Sequence, residues 1–215
     1  MQKLISFLSV AFCTTILFTA CEPKEPSGNT PTTDEGVVIN GVKWATRNVD
    51  APATFAEKPE SFGMFYQWNR KIGWSSTDPM RNSNGGDTWD STNAEGTKWA
   101  LENDPCPNGW RVPTITEFYQ CLLADETKVK NEWTTLNGVN GYKLTDKDTG
   151  NFIFMPAAGS RYYSNGALES VGYGLYWSSS KSDTYASGWS FGSGGIDTDS
   201  GSTRARGYSV RCVKE

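Results

Sequence analysis

The chain has 215 residues, with 20 Lys and Arg against 24 Asp and Glu for a formal net charge of −4, 9 tryptophans, 5 cysteines and no histidine. The missing imidazole excludes a histidine-dependent catalytic triad and removes the commonest transition-metal ligand, so zinc would have to rest on a few widely spaced thiolates. No basic stripe stands out from the mildly acidic whole, which argues against a nucleic-acid partner.

Residues 1–20, MQKLISFLSVAFCTTILFTA, put Lys3 ahead of an apolar run from Leu4 to Ala20, the architecture of an export signal. The run is marginal as a membrane span, and no cluster of positive residues follows it. Small residues at Thr19 and Ala20 stand just before Cys21, as they do where bacterial lipoprotein signals are processed. Cys21 is therefore expected to carry the lipid of an outer-membrane lipoprotein, facing the cell surface or the periplasm; the rival readings are an ordinary secreted chain and a retained helix. Residues 21–36 contain Pro23, Pro26 and Pro31 and no large apolar side chain. Such a stretch cannot offset the entropy of ordering by burial and reads as a flexible tether. A single domain is expected over 37–215.

Within the domain, Val37-Val38-Ile39 and the run from Val42 to Thr46 flank Asn40-Gly41, the strongest short hairpin signal. Residues 50–61 carry two prolines and read as an irregular crossing, and the aromatic run from Phe65 to Trp68 as a buried strand or turn. Residues 71–96 are rich in Ser, Asn, Asp and Gly, with Trp74 and Trp89 set among them. A long structured loop follows, whose tryptophans either peg it to the domain or face a ligand. The candidate ligand contacts are Trp74, Trp89 and Asp90, with Trp189 as an addition.

After the turn at Asn108-Gly109, Pro113 leads to Thr114 and Glu117, the pattern of a capping box. Ile115, Phe118, Tyr119, Cys121 and Leu122 fall on one helical face, which predicts an amphipathic helix over 115–124. Glu117 is read as a cap rather than a catalytic carboxylate. Strand pairs are expected at 141–145 with 151–156 and at 174–180 with 186–191. The last strand, 207–213, sets Tyr208, Val210 and Cys212 on one face and Ser209 and Arg211 on the other. Without strand and helix alternation the class is α+β, mostly strand and loop.

Of the cysteines left in the domain, Cys121 sits in the helix stripe, where a thiol serves as a small hydrophobe. Cys106 and Cys212 are then paired as a disulfide, as the oxidising space outside the cytoplasm allows. The rival is a reactive Cys121 or Cys212, for which no histidine base exists.

The segments CPNGWRVPTITEF, FMPAAGSRYYSNG, YGLYWSSS and GYSVRCV, with NGVKWATRNVD and ESFGMFYQWNRKIGW before them, resemble the Fibrobacter succinogenes major paralogous domain, a family common in lipoproteins of Bacteroidetes. The resemblance covers most of 37–213. This family is similar to the C-type-lectin-like superfamily, which implies an α+β, C-type-lectin-like fold of short antiparallel strands and long loops, with the first and last strands side by side. On the family's motifs fall Trp110, Arg111, Pro113 and Thr114 at the approach to the helix. Pro156, Gly159 and Arg161 match its PAAG segment, Trp177, Ser178 and Ser179 its YWSS segment, and Arg211 with Cys212 its close. These residues are read as fold-makers: Pro113 fixes extended backbone, Arg111 or Arg211 can bind several carbonyls, and Trp110 and Trp177 fill the space between sheet and loops.

The resemblance implies no single activity. A surface recognition module for glycan or for a cell-surface protein is expected, without catalysis, since aromatic faces stack on sugar rings and Asn, Asp and Ser supply the polar complement. One alternative is a structural or accessory subunit of an outer-membrane or fimbria-like assembly. Another is an enzyme: a formylglycine-generating relative, which would need a spare cysteine pair, or a glycosidase, which would need two placed carboxylates. No cofactor is expected. The EPN or QPD and WND signatures of calcium-dependent lectins are absent, and the runs 146–151 and 197–201 echo calcium loops only faintly and read as hairpin turns.

Overall fold

The computed structural model describes residues 33–119 and 126–215. The expected signal, Cys21, most of the expected tether, and Cys121 with the end of the expected helix lie outside the described residues. Residues Pro31–Glu215 form one compact unit.

Short antiparallel strands in several sheets and one short helix make this a mixed α+β fold. In the first sheet, β1 (Val37–Ile39) and β2 (Val42–Trp44) turn on Asn40 and Gly41, which have φ of 44° and 85°. The C-terminal strand β15 (Val213–Lys214) lies between β2 and β5 (Trp110–Arg111), pairing Val213 with both Trp44 and Arg111. Both ends of the domain thus share one sheet, as the resemblance implies. The Cys106–Cys212 disulfide locks that sheet, with Cα atoms 6.1 Å apart across a sequence separation of 106.

A second sheet joins β3 (Met64–Gln67), β4 (Gly73–Ser75), β9 (Ser160–Arg161), β10 (Leu168–Glu169) and β14 (Gly207–Tyr208) in the order β10-β9-β14-β3-β4. The segment expected as one strand over 207–213 is divided between β14 and β15, and every residue in it is buried. The supposed polar face points into a closed network. Arg211 Nε and Nη2 donate to Asn48 Oδ1 at 3.0 and 2.7 Å, and its other donors reach the carbonyls of Ala45 and Phe154. Asn48 Nδ2 donates to the Tyr176 hydroxyl, which donates to the Pro156 carbonyl. A hydrogen-bonded polar core of this kind fixes one arrangement of its neighbours.

The remaining sheets are meanders. β6 (Val129–Leu136), β7 (Val139–Asp146) and β8 (Phe152–Pro156) form one; β11 (Gly174–Ser182), β12 (Tyr185–Gly192) and β13 (Gly195–Ser202) form the other. The run 197–201 is part of β13, paired to β12, and not a hairpin turn. At 146–151 the expected turn is present: Asp146 Oδ1 accepts from the amides of Asp148 and Thr149, and Oδ2 from the amide of Asn40. These donors hold the Asp146 carboxyl below the usual carboxylate range, the Asn40 amide foremost.

The helix α1 is described only as Ile115–Glu117. Its capping box is complete, with Thr114 Oγ1 accepting from the Glu117 amide and Glu117 Oε2 accepting from the Thr114 amide. Of the two arginines expected to bind carbonyls, Arg211 does so, reaching those of Ala45 and Phe154. Arg111 reaches only the Val112 carbonyl, at 3.4 Å, and pairs with both Glu117 oxygens at 2.9 and 2.6 Å. Two aromatic clusters fill the interior. One holds Trp44, Phe118, Tyr176, Trp189 and Phe191; the other holds Trp68, Trp99, Trp110, Trp177 and Tyr208 around the disulfide. Trp177 stacks on Tyr208 at 4.2 Å and donates its Nε1 to the Tyr66 carbonyl. Rings of this size bury far more area per residue than aliphatic side chains, which lets so loop-rich a chain close a core.

Candidate functional site

The 71–96 segment is held at both ends by buried arginines. Arg161, on β9, donates to the carbonyls of Ser75 and Thr77 and pairs with Asp78 at 3.0 Å. At the far end, Arg204 donates to the carbonyls of Ala94 and Gly96 while its guanidinium lies 4.4 Å over the Trp68 ring. Charge-assisted bonds to backbone carbonyls fix a loop that has few apolar pegs of its own. Asn69 adds a third tie, donating to the Glu95 carbonyl and accepting from the Ala100 amide.

Among the expected ligand contacts, Trp74 and Trp89 do meet, with ring centroids 4.9 Å apart. Trp74 is only 3% exposed and cannot present a face to a sugar. Trp89 is half-buried: its Nε1 donates to the Tyr163 carbonyl, and its ring lies where a Cβ on Gly166 or Gly207 would stand. Both indoles therefore peg the loop. Asp90 follows Trp89 with both oxygens engaged, Oδ1 by the Thr92 amide and hydroxyl and Oδ2 by Arg70 at 2.8 Å. Those bonds, the Thr92 hydroxyl first, keep its carboxyl below the usual range. Trp189 is not part of this region. It is wholly buried against Phe118, Tyr176 and Phe191, so its expected contribution to a ligand face is corrected to a core role.

Outward of these pegs lie two features that the sequence reading missed. The first is a cleft of about 590 Å³ lined by Asn69, Arg70, Lys71, Ile72, Asn93, Glu95 and Asn103. Lys71, Asn93 and Glu95 are exposed there, beside the apolar side chain of Ile72. The second is the Tyr162–Tyr163 pair, rings 4.5 Å apart, with the Arg206 guanidinium 5.5 Å from the Tyr162 ring and paired with Glu169 at 3.3 Å. Asp90 and Trp89 connect the two: Asp90 holds Arg70 of the cleft, and Trp89 holds the Tyr163 backbone. The signals were present in the sequence as the STNAEG and RYYSNG runs, but neither says which side chains face outward.

Carboxylate, ammonium and amide groups around an apolar patch, with the half-buried Tyr162 and exposed Tyr163 rings, match the needs of a polyhydroxylated ligand. Among the described residues no group of three or more acidic or thiol side chains is placed to hold a metal ion. No helix among them is long and apolar enough to cross a membrane. No family model matches the chain, and no curated protein or solved structure matches it.

Proposed function

We propose that this chain is a recognition module of the Fibrobacter-major-paralogous, C-type-lectin-like kind, held at an outer membrane by a lipid on Cys21 and binding oligosaccharide without catalysis. The observation that carries the reading is the linkage of the Lys71, Asn93 and Glu95 cleft to the Tyr162–Tyr163 pair, through Asp90 on Arg70 and Trp89 on the Tyr163 backbone. It is held from behind by Arg161 and Arg204, which bind the loop backbone, and by Asp90, which binds Arg70. A rigid face of this sort orients a ligand with little ordering cost. Asp90 also has its carboxyl lowered, the reverse of what general-acid work at neutral pH requires.

The test is a panel of immobilised oligosaccharides probed with the full chain and with Lys71→Ala, Glu95→Ala and Tyr163→Ala, all exposed positions whose truncation leaves the loop pegs in place. Binding that drops in these variants, with unchanged thermal unfolding, supports the reading. Capture of an outer-membrane protein with no glycan binding at all would favour the assembly-subunit alternative instead. For the anchor, Cys21→Ala should release the protein from the membrane fraction, and retention of that variant would count against it.

A further inference from the structure

We propose a second ligand site, for an acidic saccharide, in the pocket where the incoming chain docks beside the C-terminal strand. The pocket holds about 360 Å³ and shares no residue with the loop face. That volume is enough for a small ring-bearing ligand. Its walls come from Thr33–Glu35, Lys43 of β2, the 53–55 turn, the 107–110 turn and Lys214 of β15.

The wall contributed by residues 33–36 is fixed. Asp34 accepts from the amides of Gly36 and Thr46 at 2.8 and 2.9 Å and from the Thr46 hydroxyl, and pairs with Arg47 at 3.3 Å. Arg47 Nη2 also donates to the Thr33 carbonyl at 2.6 Å. At Gly36, φ is +66° and a Cβ would stand 2.6 Å from Trp110 Cη2, so only glycine lets the chain seat against that ring. The docked stretch thus begins ahead of Val37, where the domain was expected to start.

The chemistry of the walls selects an anion that carries a ring. Lys43 and Lys214 are exposed, line the pocket, and have no ion-pair partner among the described residues. Lys214 Nζ lies 5.1 Å from the Trp110 ring centre. Of the two acidic residues at the pocket, Asp34 is consumed by Arg47 and the amides, which leaves two ammonium groups facing one exposed carboxylate, Glu35. Trp110 and Phe55 meet edge to face at 5.6 Å; at 7% and 5% exposure they belong to the core and offer the pocket only a narrow apolar edge. Asn108 and the Thr54 hydroxyl add polar groups at the rim. A uronate satisfies all of these: its carboxylate pairs with the lysines, its ring lies against the Trp110 and Phe55 edges, and its hydroxyls meet Glu35, Asn108 and Thr54. A neutral sugar would leave the lysines unpaired, and a bare inorganic anion would leave the aromatic edge unused.

Calorimetric titration of the full chain with a galacturonic acid dimer, a galactose dimer and inorganic phosphate tests this. Saturable binding of the acidic dimer is expected, weaker by about tenfold or more in Lys43→Ala/Lys214→Ala, as loss of charge-assisted hydrogen bonds implies, and reduced at high salt. Unchanged binding in Tyr163→Ala would show that this site stands apart from the loop face, whatever becomes of the first reading. No saturable binding of the acidic dimer, equal binding of the neutral dimer or of phosphate, or indifference to the lysine substitutions in variants that unfold like the wild type would each overturn the proposal.

Discussion

Cys106 and Cys212 are bonded with their Cα atoms 6.1 Å apart, one in the loop ahead of β5 and the other just before β15. The bond closes a sequence separation of 106 residues and encloses β5 through β14 with the Tyr162–Tyr163 pair, while β1–β4 and the 71–96 segment lie outside the closed loop. Chain-entropy arguments put the loss on removing such a link at about 4 to 5 kcal/mol. Urea unfolding of Cys106→Ala/Cys212→Ala against the wild type should show a shift of that order. A shift within a few tenths of a kcal/mol would mean that the aromatic core alone holds the two ends together.

Asn48 is the neutral partner that lets Arg211 be buried. Its Oδ1 takes two guanidinium donors, and its Nδ2 ties the Tyr176 hydroxyl. Burial pushes the Tyr176 hydroxyl up to about 12 and lowers Arg211 from its ordinary value. Asn48→Leu removes the acceptor and leaves a charge buried with fewer partners, a change worth about 3 to 5 kcal/mol. The expected outcome is a large fall in the urea midpoint; a wild-type midpoint would contradict this reading of the network.

Arg161 is the long loop's main clamp, since it reaches the Ser75 and Thr77 carbonyls from β9. Arg161→Met keeps much of the side-chain volume but removes every donor. Limited proteolysis should then cut within 75–79 several times faster than in the wild type, while the β6–β7–β8 meander stays protected. Equal cutting rates would show that the Trp74 and Trp89 pegs suffice.

Glu117 gives a pH dependence. Partial burial pushes its carboxyl upward, but hydrogen bonds from Arg111 and Thr114 outweigh it and hold the group below its ordinary value of 4.5. A folded value below the unfolded one means that the stabilisation is present in full above about pH 4.5 and is lost as pH falls through the lowered folded value. Glu117→Gln should therefore be less stable than the wild type at pH 7, with the gap narrowing toward pH 3 on urea titration. A gap of constant size across that range would remove Glu117 as the cause.

The fold was legible where a turn signal and a strand pattern coincided. Asn40-Gly41 marked the first hairpin, and the pairing of 141–145 with 151–156 was read from its flanks. The same dipeptide at Asn137-Gly138 joins β6 to β7, but the charged run VKNEWTTL before it hid the strand. β13 was missed for a related reason: GIDTDSGS has almost no strand-forming side chains and is held by backbone pairing to β12. In the loop, the sequence located the aromatic pegs and not their direction. Trp74 turned inward because Arg161 and Arg204 draw the loop backbone onto the body from 86 and 110 residues away. Contacts that long leave no periodic trace in the chain.

The claim that the outer loop face is a saccharide-binding surface is tested most directly by titrating isotope-labelled full chain with the oligosaccharide that binds best in the panel. The account predicts saturable amide shifts confined to residues around Lys71, Asn93, Glu95 and Tyr162–Tyr163, abolished in Glu95→Ala/Tyr163→Ala while that variant keeps its unfolding midpoint. Shifts that map elsewhere, or that persist unchanged in the double variant, would contradict it.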